Sequence, residues 1–221
     1  LRRRKRKTIM PNTIEEISSV INAERIGSTQ SIIDWILTDS RSLCFPEETL
    51  FFALKTKRND GHKYIKELYD RGVRNFVVSE LPEDTSIYKN CNFLKVAKPL
   101  KSLQKLAASH RSMFDVPVVG ITGSNGKTVV KEWLYHIISP YKIVTRSPRS
   151  YNSQIGVPLS VWLMNENTEI GIFEAGISEM GEMSELRNVI RPTIGIITNI
   201  GGAHQESFTS MQDKCMEKLQ L

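Results

Sequence analysis

Apolar residues in this chain fall into short compact runs and into stripes spaced three and four apart, the patterns of buried strands and of helices with one inward face. Thr49 to Leu54 (TLFFAL) and Asn75 to Ser79 (NFVVS) read as strands. Between them Lys63 to Asp70 places Tyr64, Ile65, Leu68 and Tyr69 at helical spacing, so the stretch from Trp35 to about Val96 predicts an α/β unit. A helix is expected over Asn12 to Ile21, and another over Pro99 to Phe114, where Leu100, Leu103, Leu106 and Ala107 share a stripe and Pro117 follows. A second series then begins: strand Val116 to Thr122, helix Thr128 to Ile138, strand Lys142 to Thr145, helix Ile155 to Met164, strand Ile170 to Ala175, helix Glu182 to Ile190 and strand Thr193 to Asn199. Its last two strands are almost wholly apolar, as strands covered on both faces of a parallel sheet should be. The expected fold is α/β: a small N-terminal α/β substrate domain over residues 10–105, then a P-loop-type parallel-sheet ATPase domain over 106–221. The second is expected to be truncated, because the chain stops at Leu221 inside a helical pattern.

Charge changes this picture little. The net charge is +6, but Arg2, Arg3, Arg4, Lys5, Arg6 and Lys7 hold six of the 30 basic residues, and the remaining 24 equal the 24 acidic ones. The body is neutral, so nucleic acid is not an expected partner. Residues 1–9 read as a basic leader outside the fold rather than a binding arm. No apolar run is long enough for a membrane span, and a cytoplasmic protein is expected. Cys44, Cys91 and Cys215 are far apart and outside any C-x-x-C pair, which fits reduced packing residues.

The sharpest chemical signal is Gly120-Ile-Thr-Gly-Ser-Asn-Gly-Lys-Thr128, set between an apolar strand and an amphipathic helix. In that context the loop Gly123, Ser124, Asn125, Gly126, Lys127 and Thr128 can curl its amides around phosphate oxygens, Lys127 can reach the β- and γ-phosphates, and Thr128 can ligate magnesium. ATP is the expected nucleotide. The loop departs from the strict G-x-x-x-x-G-K-[ST] form, since Ile121 stands where the first glycine belongs and Gly120 is one residue early.

The segment Thr122 to Thr128 (TGSNGKT) resembles the phosphate loop of the Mur ligases, which vary from the ordinary form in this way. Thr38-Asp-Ser-Arg41, Leu50 to Lys55 and Asp60 to Ile65 resemble the family's N-terminal domain, which holds the uridine diphosphate part of its substrate. Asn152 to Pro158 resembles its central-domain substrate loop, and Phe173 to Gly176, Gly181 to Met183 and Thr198 to His204 are similar to the member that joins D-alanyl-D-alanine to UDP-N-acetylmuramoyl-tripeptide. The resemblance covers about residues 12–221 and implies an ATP-dependent peptide ligase of cell-wall peptidoglycan synthesis, working through an acyl-phosphate, with ATP and Mg2+ as cofactors. It implies Lys127, Glu174, His204 and Lys218 as catalytic residues, with Thr128, Glu174 and His204 on magnesium. Lys218 stands where the family carries a carbamylated lysine, Lys214 competes for that place, and a later family glutamate is here Gln220. Ser40, Arg41, Asn152 and Asn199 fall to substrate binding. The family's third, C-terminal ligase domain has no counterpart in these residues, so a fragment inactive alone is expected.

Physics adds to two of these roles. Glu174 ends a buried apolar strand, where a carboxylate is costly unless a cation meets it, although a structural salt bridge would also satisfy it. Arginine at position 41 can hold a diphosphate bidentately. A folylpolyglutamate-synthase-like ligase would share the loop and the chemistry, but the Asp39-Ser-Arg41 segment argues against it. An NTPase switch would need only the loop and a magnesium carboxylate.

Overall fold

The computed structural model describes residues 12–56, 59–201 and 208–221, which divide into two compact units at Leu106 and Ala107, within one helix. The basic leader lies outside the described residues.

The first unit opens with helix α1 (Ile14–Ile21), whose start is fixed by a reciprocal capping box between Thr13 and Glu16. Five strands follow: β1 (Glu24–Ile26), β2 (Trp35–Leu37), β3 (Thr49–Phe52), β4 (Asn75–Val78) and β5 (Asn92–Lys95). They form one sheet in the order β1-β5-β4-β3-β2, parallel from β2 to β5, with β1 antiparallel to β5. The two strands read from apolar runs, β3 and β4, are the central ones and are buried at every position. The marginal strands gave weaker patterns, because β1 carries Glu24 and Arg25 and β2 exposes Trp35. Helix α2 (Ile65–Asp70) is preceded by a 3₁₀ turn, Gly61–Tyr64. The turn lies so close to the end of β3 that a Cβ at Gly61 would fall 2.8 Å from the Leu54 amide nitrogen. His62 fastens it to β4: Nδ1 pairs with Asp60 Oδ1 at 2.6 Å, and Nε2 accepts from the Ser79 amide at 3.1 Å. The core is aromatic, with Phe76 stacked on Phe93 and edge-on to Phe51, above Leu68 and Val73.

Helix α3 (Pro99–Arg111) leads into the second unit. Its sheet has the order β7-β8-β6-β9, all parallel, from β6 (Val118–Thr122), β7 (Val144–Arg146), β8 (Ile170–Glu174) and β9 (Ile194–Ile197). The helices are α4 (Lys127–Ile138), α5 (Gly156–Val161), α6 (Glu182–Ile190) and α7 (Met211–Lys218). β6 and β8 are buried as expected of central parallel strands. β9 is not: it lies at the edge of the described sheet, and Ile194 and Ile197 are exposed. Two side chains tie α3 into this unit. His110, its proton affinity lowered by burial, meets the Met164 carbonyl, and the Arg111 guanidinium reaches the carbonyls of Ile190 and Arg191 at the end of α6. The packing role expected of the cysteines holds for buried Cys91 but not for exposed Cys44.

The aromatic core yields a direct test. Phe76→Ala should cost about 3–5 kcal/mol, the range for truncating a fully buried aromatic, read by urea unfolding. A loss below about 1 kcal/mol would mean that the three rings are not the core of this unit.

Candidate functional site

The loop between β6 and α4 is shaped by two glycines in left-handed backbone. Gly123 (φ +145°) leaves no room for a side chain, because a Cβ there would come 1.9 Å from Thr198 Oγ1. Gly126 (φ +81°) is the N-cap of α4, and no side chain caps that helix. Its first amides have no intrahelical partner, so they form a concentration of partial positive charge suited to an anion. Gly120, one place too early for the strict motif, pairs within β6 against Phe173 and Gly195.

A clamp from the end of β9 holds the loop. Asn199 accepts the Ser124 amide on its carbonyl and the Asn125 amide on its side chain, both at 2.9 Å, and the Thr198 hydroxyl donates to the Asn125 carbonyl at 2.5 Å. Ser124 and Gly201 exchange two further bonds. Asn199, expected among the substrate contacts, thus has its side chain on the loop itself. Lys127 bends back, its Nζ donating to the Gly123 carbonyl at 2.7 Å. Burial lowers its pKa, Glu174 opposes that, and Lys214 adds to it.

Glu174, at the carboxyl end of β8, has no exposed surface. Its Oε2 accepts from the Thr128 hydroxyl at 3.1 Å and the Asn152 amide at 3.4 Å. Its Oε1 lies 3.0 Å from Lys131 Nζ, near enough for an ion pair yet not aligned for a hydrogen bond. Thr122 Oγ1 is also buried without a hydrogen-bond partner. Oxygen donors from Thr128 and Glu174, beside a lysine and a helix N-terminus, fit a magnesium-bound phosphate. His204 lies outside the described residues, and among those described no three His, Cys, Asp or Glu side chains converge as a metal cluster.

Helix α7 adds positive charge. Lys214 Nζ donates to the Gly201 carbonyl at 2.5 Å, and Lys218 is buried. The Lys218 pKa is lowered to about 8, first by burial and then by the charges of Lys127 and Lys214. Gln220 donates to Glu217, whose other oxygen accepts the Met183 amide at the start of α6. In the first unit Ser40 and Arg41 lie on a 3₁₀ turn, Ser40–Ser42. Asp39 holds the exposed Arg41 guanidinium at 2.6 and 2.9 Å, which lowers the Asp39 pKa, and the buried Ser40 receives Arg71 on its carbonyl. Sequence reasoning missed Thr198, Ser147 and Lys131. None carried a readable signal: Thr198 and Ser147 bond to backbone groups, and a lysine on a helix such as Lys131 ordinarily reads as solvated.

Comparison with known proteins agrees with this geometry: residues 121–221 match the Mur ligase middle domain. A curated relative, the UDP-N-acetylmuramoyl-tripeptide–D-alanyl-D-alanine ligase of Borreliella burgdorferi, is 35% identical over 96% of this chain. Residues 121–221 are thus a Mur ligase middle domain. The chain spans about half the length of the curated relatives it matches, 46% in that case. Among solved structures, MurF from Acinetobacter baumannii superposes with a TM-score of 0.85 at 26% identity, covering 96% of this chain and 46% of that one. MurF ligase from Thermotoga maritima, solved in complex with ADP, gives 0.73 at 28% identity over 84% of this chain and 42% of that one. Among the described residues, no helix is long and apolar enough to cross a membrane.

The Lys218 ammonium predicts a pH dependence. Its folded pKa, about 8, lies below the ordinary lysine value of 10.5, so in that window the unfolded chain binds more protons and stability rises with pH. The penalty is complete below about 8 and gone above 10.5. Lys218→Met should therefore be stabilising at pH 7, with the advantage over wild type shrinking from pH 8 to pH 10 in urea melts. A constant difference across that range would contradict the burial of a charged amine.

Proposed function

We propose that this chain is the precursor-binding and nucleotide-binding part of an ATP-dependent ligase that joins D-alanyl-D-alanine to UDP-N-acetylmuramoyl-tripeptide in peptidoglycan synthesis. The observation that carries the reading is the meeting of Lys127, Thr128 and buried Glu174 at the uncapped N-terminus of α4. The names of the relatives support the substrates. In this reading residues 10–105 hold the UDP-sugar through Ser40 and Arg41, residues 106–221 hold ATP, and the enzyme is cytoplasmic.

The reaction needs the tripeptide carboxylate to attack the γ-phosphate of ATP, after which the amine of the dipeptide displaces phosphate from the acyl-phosphate. Phosphoryl transfer depends mainly on alignment and on positive charge around the equatorial oxygens. Lys127 would leave the Gly123 carbonyl for the phosphates, and the amides at the start of α4 would take the oxygens. Magnesium, held by Thr128 and Glu174 with His204 as the third candidate ligand, would supply further charge neutralisation when bound. Asn152, bonded to Glu174, would meet the substrate beside the same group. Lys218 adds an amine whose charge is costly in this site, the property that suits the carbamylated role, for which Lys214 is the competing candidate. Because the chain spans under half of the relatives' length, we assign binding to it and ligation to the whole enzyme.

Calorimetric titration tests the reading. UDP-N-acetylmuramoyl-tripeptide should bind more tightly than UDP alone, and ATP with magnesium should bind independently. Lys127→Ala should weaken ATP by about 10- to 100-fold, as loss of a charged hydrogen-bond donor does, and leave the UDP-sugar affinity within about threefold. Failure of the UDP-sugar to bind would remove the precursor assignment. An equal loss of both ligands in the variant would contradict two separate sites.

A further inference from the structure

Lys131 is a charged side chain near the loop to which the reaction gives no task. It follows Lys127 by one helical turn on the inner face of α4 and is 0% exposed. A buried ammonium persists only where opposite charge and acceptors surround it. Lys131 Nζ donates to the carbonyls of Ser147, at 2.9 Å, and of Arg149, and it lies 3.0 Å from Glu174 Oε1 and 3.2 Å from Glu132 Oε1. Glu132 also takes the Arg146 guanidinium, which packs over the Tyr135 ring. The two oxygens of Glu174 are thereby divided: Oε1 faces Lys131, and Oε2 faces Thr128 and Asn152.

We infer that Lys131 is a positioning residue, which turns one oxygen of Glu174 inward so that the other stands beside Thr128 for the divalent cation accompanying the nucleotide. The same ammonium holds the backbone of residues 147–149, so that the segment leading to Ser150 and Asn152 keeps its place beside Glu174. In this role Lys131 is not itself a ligand, and it acts through Glu174 and the backbone of residues 147–149. The inference rests on the nucleotide reading above and assigns that site a residue beyond the loop and its ligands.

The test compares ADP affinity of the 221-residue chain in excess magnesium with that in EDTA, by calorimetry, alongside thermal midpoints. Wild type should bind more tightly with magnesium. Lys131→Met should lose that magnesium-dependent gain by on the order of tenfold or more, the usual effect of removing a residue that orients a metal ligand, while its EDTA affinity stays within about threefold. Lys131→Gln, which can still donate to both carbonyls, should keep the fold and lose the same gain. Lys131→Met combined with Glu174→Gln should recover part of the lost thermal midpoint, because the carboxylate that the single variant leaves buried and unpaired is then gone as well. An undiminished magnesium gain in both single variants, an equal fall with and without magnesium, or unfolding of both variants without recovery in the double variant would overturn the positioning role. Absence of ADP binding by the wild-type chain in either condition would overturn the nucleotide reading itself, and this inference with it.

Discussion

A carboxylate with no exposed surface must be met by charge and hydrogen-bond donors at its own site, and Glu174 imposes that demand at the carboxyl end of β8. The answer comes from several separate stretches of chain. Helix α4 contributes Lys131 and Thr128, the segment after β7 contributes Asn152, and the Ser147 hydroxyl accepts the Glu174 amide. Satisfying one charge therefore draws the start of α4, the end of β8 and the 147–152 segment into a single arrangement. Breaking such a pair from one side leaves an uncompensated buried charge, so these contacts stand or fall together.

The sheet order places this arrangement where it can act. In the order β8-β6-β9, Glu174 ends β8, Thr122 ends β6 and Thr198 follows β9, so the carboxyl ends of adjacent parallel strands meet at one edge. Open α/β sheets collect their ligands at that edge. The loop between Thr122 and Lys127 is then held from the β9 side by Thr198, Asn199 and Gly201, and flanked by the lysines of α7. Both sets of contacts shape the loop before any ligand arrives, which would reduce the ordering cost of binding the proposed phosphate.

Where burial and periodicity coincide, the chain was readable. The paired glycines of the phosphate loop, the apolar strands β3, β4, β6 and β8, and the inward stripe of α3 announce themselves by composition and spacing. Strands β1 and β2 did not, because they are short and lie at the sheet margins with charged or exposed side chains. β9 misled in the other direction: its apolar run reads as doubly covered, yet it is exposed at the edge of the described sheet. Among the site residues, Lys127, Thr128 and Glu174 were legible from the loop motif and the strand end. The clamp on the loop was not, since Thr198 and Asn199 bond to backbone amides and carbonyls of the loop, partners that no side-chain pattern encodes. Lys131 was hidden for a related reason: lysine on a helix ordinarily reads as solvated, and its burial follows only from the carboxylate that the fold sets opposite it.

The most direct measurement is a crystal structure of the chain grown with ADP and magnesium. The account predicts the β-phosphate at the N-terminus of α4, Lys127 Nζ turned from the Gly123 carbonyl to the phosphate, and the metal held by Thr128 and Glu174. Nucleotide bound elsewhere, or bound at the loop with Lys127 still on the Gly123 carbonyl and no metal at Glu174, would contradict it.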